Sequence, residues 1–203
     1  MIGRRKRTKK VLVVHAHPVS ESFNSALRNA AIQSLETAGH EVRSIDLYGE
    51  NFEPVLSFED HQNHIGAVSD KPAIAQHVED LRWADALVLV YPTWWSGPPA
   101  MLKGWFDRVW TNEVAFDLPE GAARIRGRLR NIRLLIVITT HGSDRARNAL
   151  QGQAGRRMIL RGLRLLCART CRTRWIAMYS LDRADQRDRA EFIEQVEGTL
   201  AEL

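Results

Sequence analysis

Cysteine is nearly missing from this chain. Only Cys167 and Cys171 occur among 203 residues, and no further Cys or His pair stands at zinc-site spacing, so neither a disulfide framework nor a zinc finger underlies the fold. Both thiols read as reduced and structural. Long apolar runs are missing too: nowhere do about 18 apolar residues follow one another, so no membrane insertion is expected. The opening MIGRRKRTKK runs into the short VLVVHA, which lacks a signal peptide's length and cleavage pattern, and a cytoplasmic protein is expected. The chain also has neither GxGxxG nor GxxxxGK[ST], which argues against a standard dinucleotide Rossmann loop and against a Walker-type NTPase.

What is present is a chain long enough for one sizeable core, with 44% hydrophobic residues. The formal net charge is +5, but Arg4, Arg5, Lys6, Arg7, Lys9 and Lys10 carry more than all of it. The basic character is therefore mostly a tail, read as a disordered arm over residues 1–9 preceding one domain over 10–203. No aromatic residue interleaves that run for base stacking, so no nucleic-acid partner is expected. A second arginine concentration, Arg145 to Arg174, could face phosphates or merely solvate helices.

Short apolar runs alternate with helical patterns. Val11–Ala16, Val42–Leu47, Ala86–Tyr91, Arg133–Thr140 and Thr173–Leu181 read as strands, the second near an edge. Ser25–Ala38, closed by Gly39 where a C-terminal cap belongs, Ile74–Trp83, the segment after Pro98 and Pro99, Arg156–Leu166 and Ala184–Leu200 read as helices. Gly49 to Pro72 is polar and irregular, the length of a functional loop. Such alternation implies a parallel sheet covered on both faces.

Ligands of open α/β sheets sit beyond the carboxyl ends of the strands, and three segments end there. HAHPVSESFNS offers Ser20, Ser22, Asn24 and Ser25 where a helix opens, suited to a phosphate or to ordinary capping. YPTWWSGPP places Trp94 and Trp95 side by side on a loop, so at least one should border a flat ligand or a subunit interface while the other packs in the core. Thr139 to Gly142 supplies hydroxyls, amides and an imidazole suited to a heterocycle's polar edge. His15 and His17 form an HxH, and His61 and His64 lie in the long loop, but nothing in the sequence completes a metal site, and none is expected.

Together these segments resemble the flavodoxin-like family that includes NAD(P)H:quinone oxidoreductases and their bacterial relatives, from about Lys10 onward. PTWWSGPPAMLKGWFDRVW (Pro92 to Trp110) is similar to the family's segment beneath the flavin ring and its following helix. HAHPVSESFNSAL resembles the phosphate loop, with His17, Ser22, Phe23 and Asn24 in register, and NFEPVL resembles another family stretch. The resemblance implies an α/β flavodoxin-like three-layer sandwich with a five-stranded parallel sheet. It also implies a bound FAD, with FMN the alternative, and NAD(P)H as hydride donor to a quinone or similar acceptor. A homodimer with active sites at its interface is implied as well. Carried over by position, His17, Ser22, Phe23 and Asn24 would hold the phosphates. Pro92, Thr93, Trp94 and Trp95 would line the isoalloxazine, and Thr139, Thr140, His141 and Gly142 would contact its pyrimidine side. Two features depart from the family: the loop after Leu56 is shorter, and Arg147, Asn148 and Ala154 fall around the positions of a Tyr and a His that assist quinone reduction. His141 is then expected to act catalytically, supplying part of the missing electrostatics. An alternative role is a flavin-binding, redox-sensing regulatory subunit of another protein.

Overall fold

The computed structural model describes residues 7–62, 74–118 and 124–203. Most of the expected basic arm, and His64, Gly66 and Pro72 of the polar loop, lie outside the described residues.

Five strands build one parallel sheet: β1 (Lys10–His15), β2 (Glu41–Asp46), β3 (Ala86–Pro92), β6 (Leu134–Thr140) and β7 (Arg172–Met178), in the order β2-β1-β3-β6-β7. The central strands are apolar at nearly every position because both faces are covered. The two-residue period of a strand splits them cleanly between two cores. Leu12, Val14, Leu87, Leu89, Leu135 and Val137 face one side. Val11, Val13, Val88, Val90, Ile136 and Ile138 face the other.

The first side is covered by α3 (Ala75–Trp83) and α4 (Ala100–Val109) through Val78, Leu81, Leu102, Trp105, Phe106 and Val109. The second is covered by α1 (Phe23–Thr37) and α7 (Gln186–Ala201) through Leu27, Ala31, Leu35, Phe192, Val196 and Leu200. Each large side chain so buried stabilises the fold by roughly 1.5–3 kcal/mol. Gly39 ends α1 at φ +81°, with its N–H donating to the Glu36 carbonyl, the left-handed cap that its position predicts. The β2 edge position likewise matches its weaker apolar pattern.

Arg156–Leu166, expected as one helix, changes pitch twice. It runs as α6 (Ala154–Arg157), a widened π turn over Met158–Gly162 and a tighter 3-10 turn over Leu163–Leu166. The changes of pitch leave Ile159 fully buried while Arg156, Arg157 and Arg161 stay exposed. The polar stretch after Gly49 holds a short helix, α2 (Phe58–Gln62), and two further elements carry no apolar period: α5 (Arg145–Leu150) and the two-residue pairing of β4 (Phe116–Asp117) with β5 (Arg126–Gly127). Cys167 and Cys171 are free and buried.

Candidate functional site

Strand order reverses between β1 and β3, so the crevice of the sheet opens beyond His15 and Pro92. The three segments singled out by sequence converge at that end. Asn24, buried at the start of α1, donates from Nδ2 to Thr140 Oγ1 at 3.1 Å. Thr93 Oγ1 and Thr139 Oγ1 lie 3.1 Å apart, and the Thr93 N–H donates to the Thr140 carbonyl at 2.8 Å. His141 Nε2 is 3.5 Å from Thr93 Oγ1. The threonine hydroxyls thus tie the loops to one another, which fixes the floor of the site rather than leaving them free for a ligand.

In the phosphate loop, Ser22 is the N-cap of α1, its Oγ accepting from the Ser25 N–H at 3.1 Å. Its side chain serves capping, and the amides of Phe23 and Asn24 are left as the donors of the first turn. His17 Nδ1 accepts from the Val19 N–H at 3.0 Å and shapes the loop. The Phe23 ring leans on Phe192 of α7, centroids 6.4 Å apart, with the Arg189 guanidinium 6.0 Å from its centroid. Asn24 Oδ1 is buried with no hydrogen-bond partner.

Beyond Pro92, Trp94 to Gly97 closes a tight turn, the N–H of each end donating to the other's carbonyl at 2.9 Å. Trp95 and Ser96 both take positive φ, +46° and +65°, the pair of left-handed residues of a type I′ turn, which costs energy for non-glycine side chains. Trp94 is 58% and Trp95 99% exposed. The expectation that one of them packs in the core is therefore corrected: the turn reverses the chain before either ring can fold back onto the sheet.

The third loop is clamped by the end of β7, with the His141 N–H donating to the Met178 carbonyl and the Leu181 N–H to the His141 carbonyl. A Cβ on Gly142 would stand 2.5 Å from Asp182 Oδ2, so a larger residue there would have to push the exposed Asp182 carboxylate aside. His141 is buried and stacks on Tyr179, centroids 4.7 Å apart and 13° from parallel. Burial pulls its pKa down, opposed by Asn148, so the ring is neutral at pH 7. Beside the site His15 is also buried, and desolvation lowers its pKa to about 4 against the pull of Asp46. Sequence reasoning met Asn148 only as a departure from the family, and missed Tyr179 and Gly155, whose N–H donates to the Ser96 carbonyl at 2.7 Å and braces the tryptophan turn. No motif or period marks them.

Residues 9–203 match the model of the family described as flavodoxin-like fold. The chain belongs to that family. Among similar flavodoxin-like proteins, an NAD(P)H dehydrogenase [quinone] 1 of Cavia porcellus is 32% identical over 155 residues, 67% of this chain and 54% of that protein. An uncharacterised NAD(P)H oxidoreductase of Haemophilus influenzae is 37% identical over 129 residues, 63% of this chain and 62% of that protein. The chain thus matches just over half to under two thirds of the length of these relatives. A solved NAD(P)H:quinone oxidoreductase from Methanothermobacter marburgensis superposes with a TM-score of 0.79 at 27% identity, covering 96% of this chain and 98% of that one.

Proposed function

We propose that this protein is a flavin-dependent NAD(P)H oxidoreductase that passes hydride to a quinone or similar small acceptor, working as a cytoplasmic homodimer with FAD, or alternatively FMN, as its cofactor. The observation that carries this reading is the exposed Trp94–Trp95 turn, held at the switch point of a flavodoxin-like sheet opposite a helix N-terminus with free first-turn amides.

The residues present fit a flavin. The amides of Phe23 and Asn24, at the positive end of α1, suit its phosphate, and the orphaned Asn24 Oδ1 suits a hydroxyl or amide donor there. Trp94 and Trp95 offer aromatic faces to the ring system, and Thr93 to Ser96 its edge. Gly142 and the neutral His141 stand on the side assigned to the pyrimidine. When bound, the flavin supplies two-electron transfer chemistry, and the protein's part is orientation and electrostatics. Arg145 and Arg147, exposed at the start of α5, offer cationic groups to a nicotinamide dinucleotide's phosphates. Leu56, Phe106, Trp110, Met158, Leu163 and Leu166 line a hollow of about 400 Å³ together with the Lys103–Asp107 ion pair, a largely apolar surface suited to a second copy. No helix among the described residues is long and apolar enough to cross a membrane.

Steady-state oxidation of NADH and NADPH with excess quinone tests the activity. Sustained turnover at a preferred donor is expected. A single reduction without turnover would contradict the enzyme reading and fit the redox-sensing role instead.

A further inference from the structure

At the end of the sheet away from the proposed flavin site, backbone hydrogen bonds carry the strand ladder past the strand starts. The Asp85 N–H donates to the Lys10 carbonyl at 2.7 Å, the Arg133 N–H to the Asp85 carbonyl at 2.8 Å and the Arg172 N–H to the Arg133 carbonyl at 2.9 Å. Lys10, Asp85, Arg133 and Arg172 therefore stand in a row across β1, β3, β6 and β7, with their backbones fixed. Arg174 follows Arg172 on the same face of β7, roughly 7 Å along the strand. That face is the one Ile176 and Met178 turn toward α1 and α7. With the end of α7, these residues enclose a hollow of about 350 Å³, within the size range of small-molecule sites.

The charge of the hollow is unbalanced. Arg7, Lys9, Arg133, Arg172 and Arg174 line it against two acidic side chains, Asp85 and Glu202. Among the described residues, no carboxylate comes within ion-pair distance of Arg7, Arg133, Arg172 or Arg174. The negative end of a helix attracts cations, but the end of α7 is already met by Lys9, whose Nζ donates to the Leu203 carbonyl. Asp85 Oδ2 accepts the Lys10 N–H at 3.2 Å. The arginines are thus surplus to what the fold requires at this end.

We propose that this hollow is a binding site for a phosphorylated small molecule of nucleotide size, its phosphates gripped by Arg133, Arg172 and Arg174. Arginine's planar fork meets phosphate oxygens in pairs, and two guanidiniums rooted side by side on one strand face suit a diphosphate. Asp85 and Glu202, when ionised, only accept hydrogen bonds, so they select hydroxyl or amino groups on the body of the ligand. Leu134, 8% exposed in the lining, gives that body an apolar seat. A hollow of this size is filled by a nucleotide, whereas a nucleic-acid strand would outrun it. None of these residues belongs to the site at the other end of the strands, so the proposal stands apart from the oxidoreductase reading.

The test is titration of the protein with ADP at low salt, followed by backbone amide NMR and calorimetry. Saturable shifts are expected at Leu134, Thr173 and Thr199, with binding that weakens as salt is added. Affinity falls about tenfold in Arg172→Gln and in Arg174→Gln, the weight of one charge-assisted hydrogen bond. Adenosine and inorganic phosphate each bind more weakly than ADP. Both arginines are exposed, so both variants keep the wild-type melting temperature, and a loss of affinity reads as a loss of contact. Shifts confined to Phe23 and Asn24 would place the nucleotide at the flavin's phosphate loop and overturn the proposal. Undiminished affinity in both variants, no saturable shift at millimolar ADP, or inorganic phosphate binding as tightly as ADP would overturn it too. A protein that takes up no flavin yet binds ADP in the hollow would sink the oxidoreductase reading and leave this one standing.

Discussion

At His15 burial and charge pull in opposite directions. The ring is 1% exposed, with Nδ1 3.5 Å from Asp46 Oδ1, and Asp46 is itself held by Arg28 at 2.6 Å. Desolvation wins and lowers the pKa from 6.5 to about 4. The unfolded chain therefore binds a proton near pH 6.5 that the folded chain refuses, and stability must fall as pH drops from 6.5 towards 4, by about 3 kcal/mol from this group. Above pH 7 the group contributes no slope. In His15→Gln, unfolding midpoints in urea should lose much of the slope in that window, with His77 and His141, also lowered by burial, supplying the remainder. An unaltered slope would show that His15 is charged in the fold. His141 makes a second residue-scale case. His141→Ala removes the Tyr179 stack and the ring nitrogen facing Thr93, so quinone turnover should fall about tenfold, the weight of one buried hydrogen bond, with a shifted flavin potential. Turnover and potential both unchanged would remove His141 from the chemistry.

Among elements, the tryptophan turn depends on the start of α6. Gly155 donates to the Ser96 carbonyl, and a Cβ there would stand 3.0 Å from both Gly97 Cα and Ser96 O. Gly155→Ala must displace the turn by a few tenths of an ångström while leaving both cores untouched. Flavin affinity should fall about tenfold, roughly one hydrogen bond's worth, at a nearly unchanged melting temperature. Equal affinity would mean that the turn does not touch the flavin. Gly104 in α4 is the contrasting position: its Cβ would come within 2.2 Å of the Pro54 carbonyl oxygen. Backbone cannot yield as a side chain can, so Gly104→Ala should destabilise by roughly 1–3 kcal/mol in chemical denaturation. The turn also marks where sequence reading stopped. Side-by-side tryptophans after a buried strand implied a ligand-facing ring, but the positive φ of Trp95 and Ser96, and hence the exposure of both rings, follows from the two-bond closure between Trp94 and Gly97. No glycine at either central position announces it.

For the molecule as a whole, the sheet was legible because fully buried strands such as LLIVITT cannot be mistaken for solvent-facing ones once flanked by helical periods. α5 was not, because Asn148 is its only buried residue, and β4 and β5 are too short to show a period. In the site, the three segments were legible by their place at strand ends. Their mutual bonds were not, since Asn24 and Thr140 are 116 residues apart and Thr93 and Thr139 are 46 apart. The second arginine concentration divides in space: Arg145 and Arg147 lie on α5 next to the site, whereas Arg172 and Arg174 line a hollow at the opposite end of the strands with Arg133. The one measurement that tests the central claim most directly is the visible absorbance spectrum of the purified protein loaded with FAD or FMN. It is recorded without oxygen before and after NADH or NADPH, and again after a quinone. A bound flavin band that bleaches with the nicotinamide and returns with the quinone is expected; a protein that takes up neither flavin, or holds one that no nicotinamide reduces, would contradict the account.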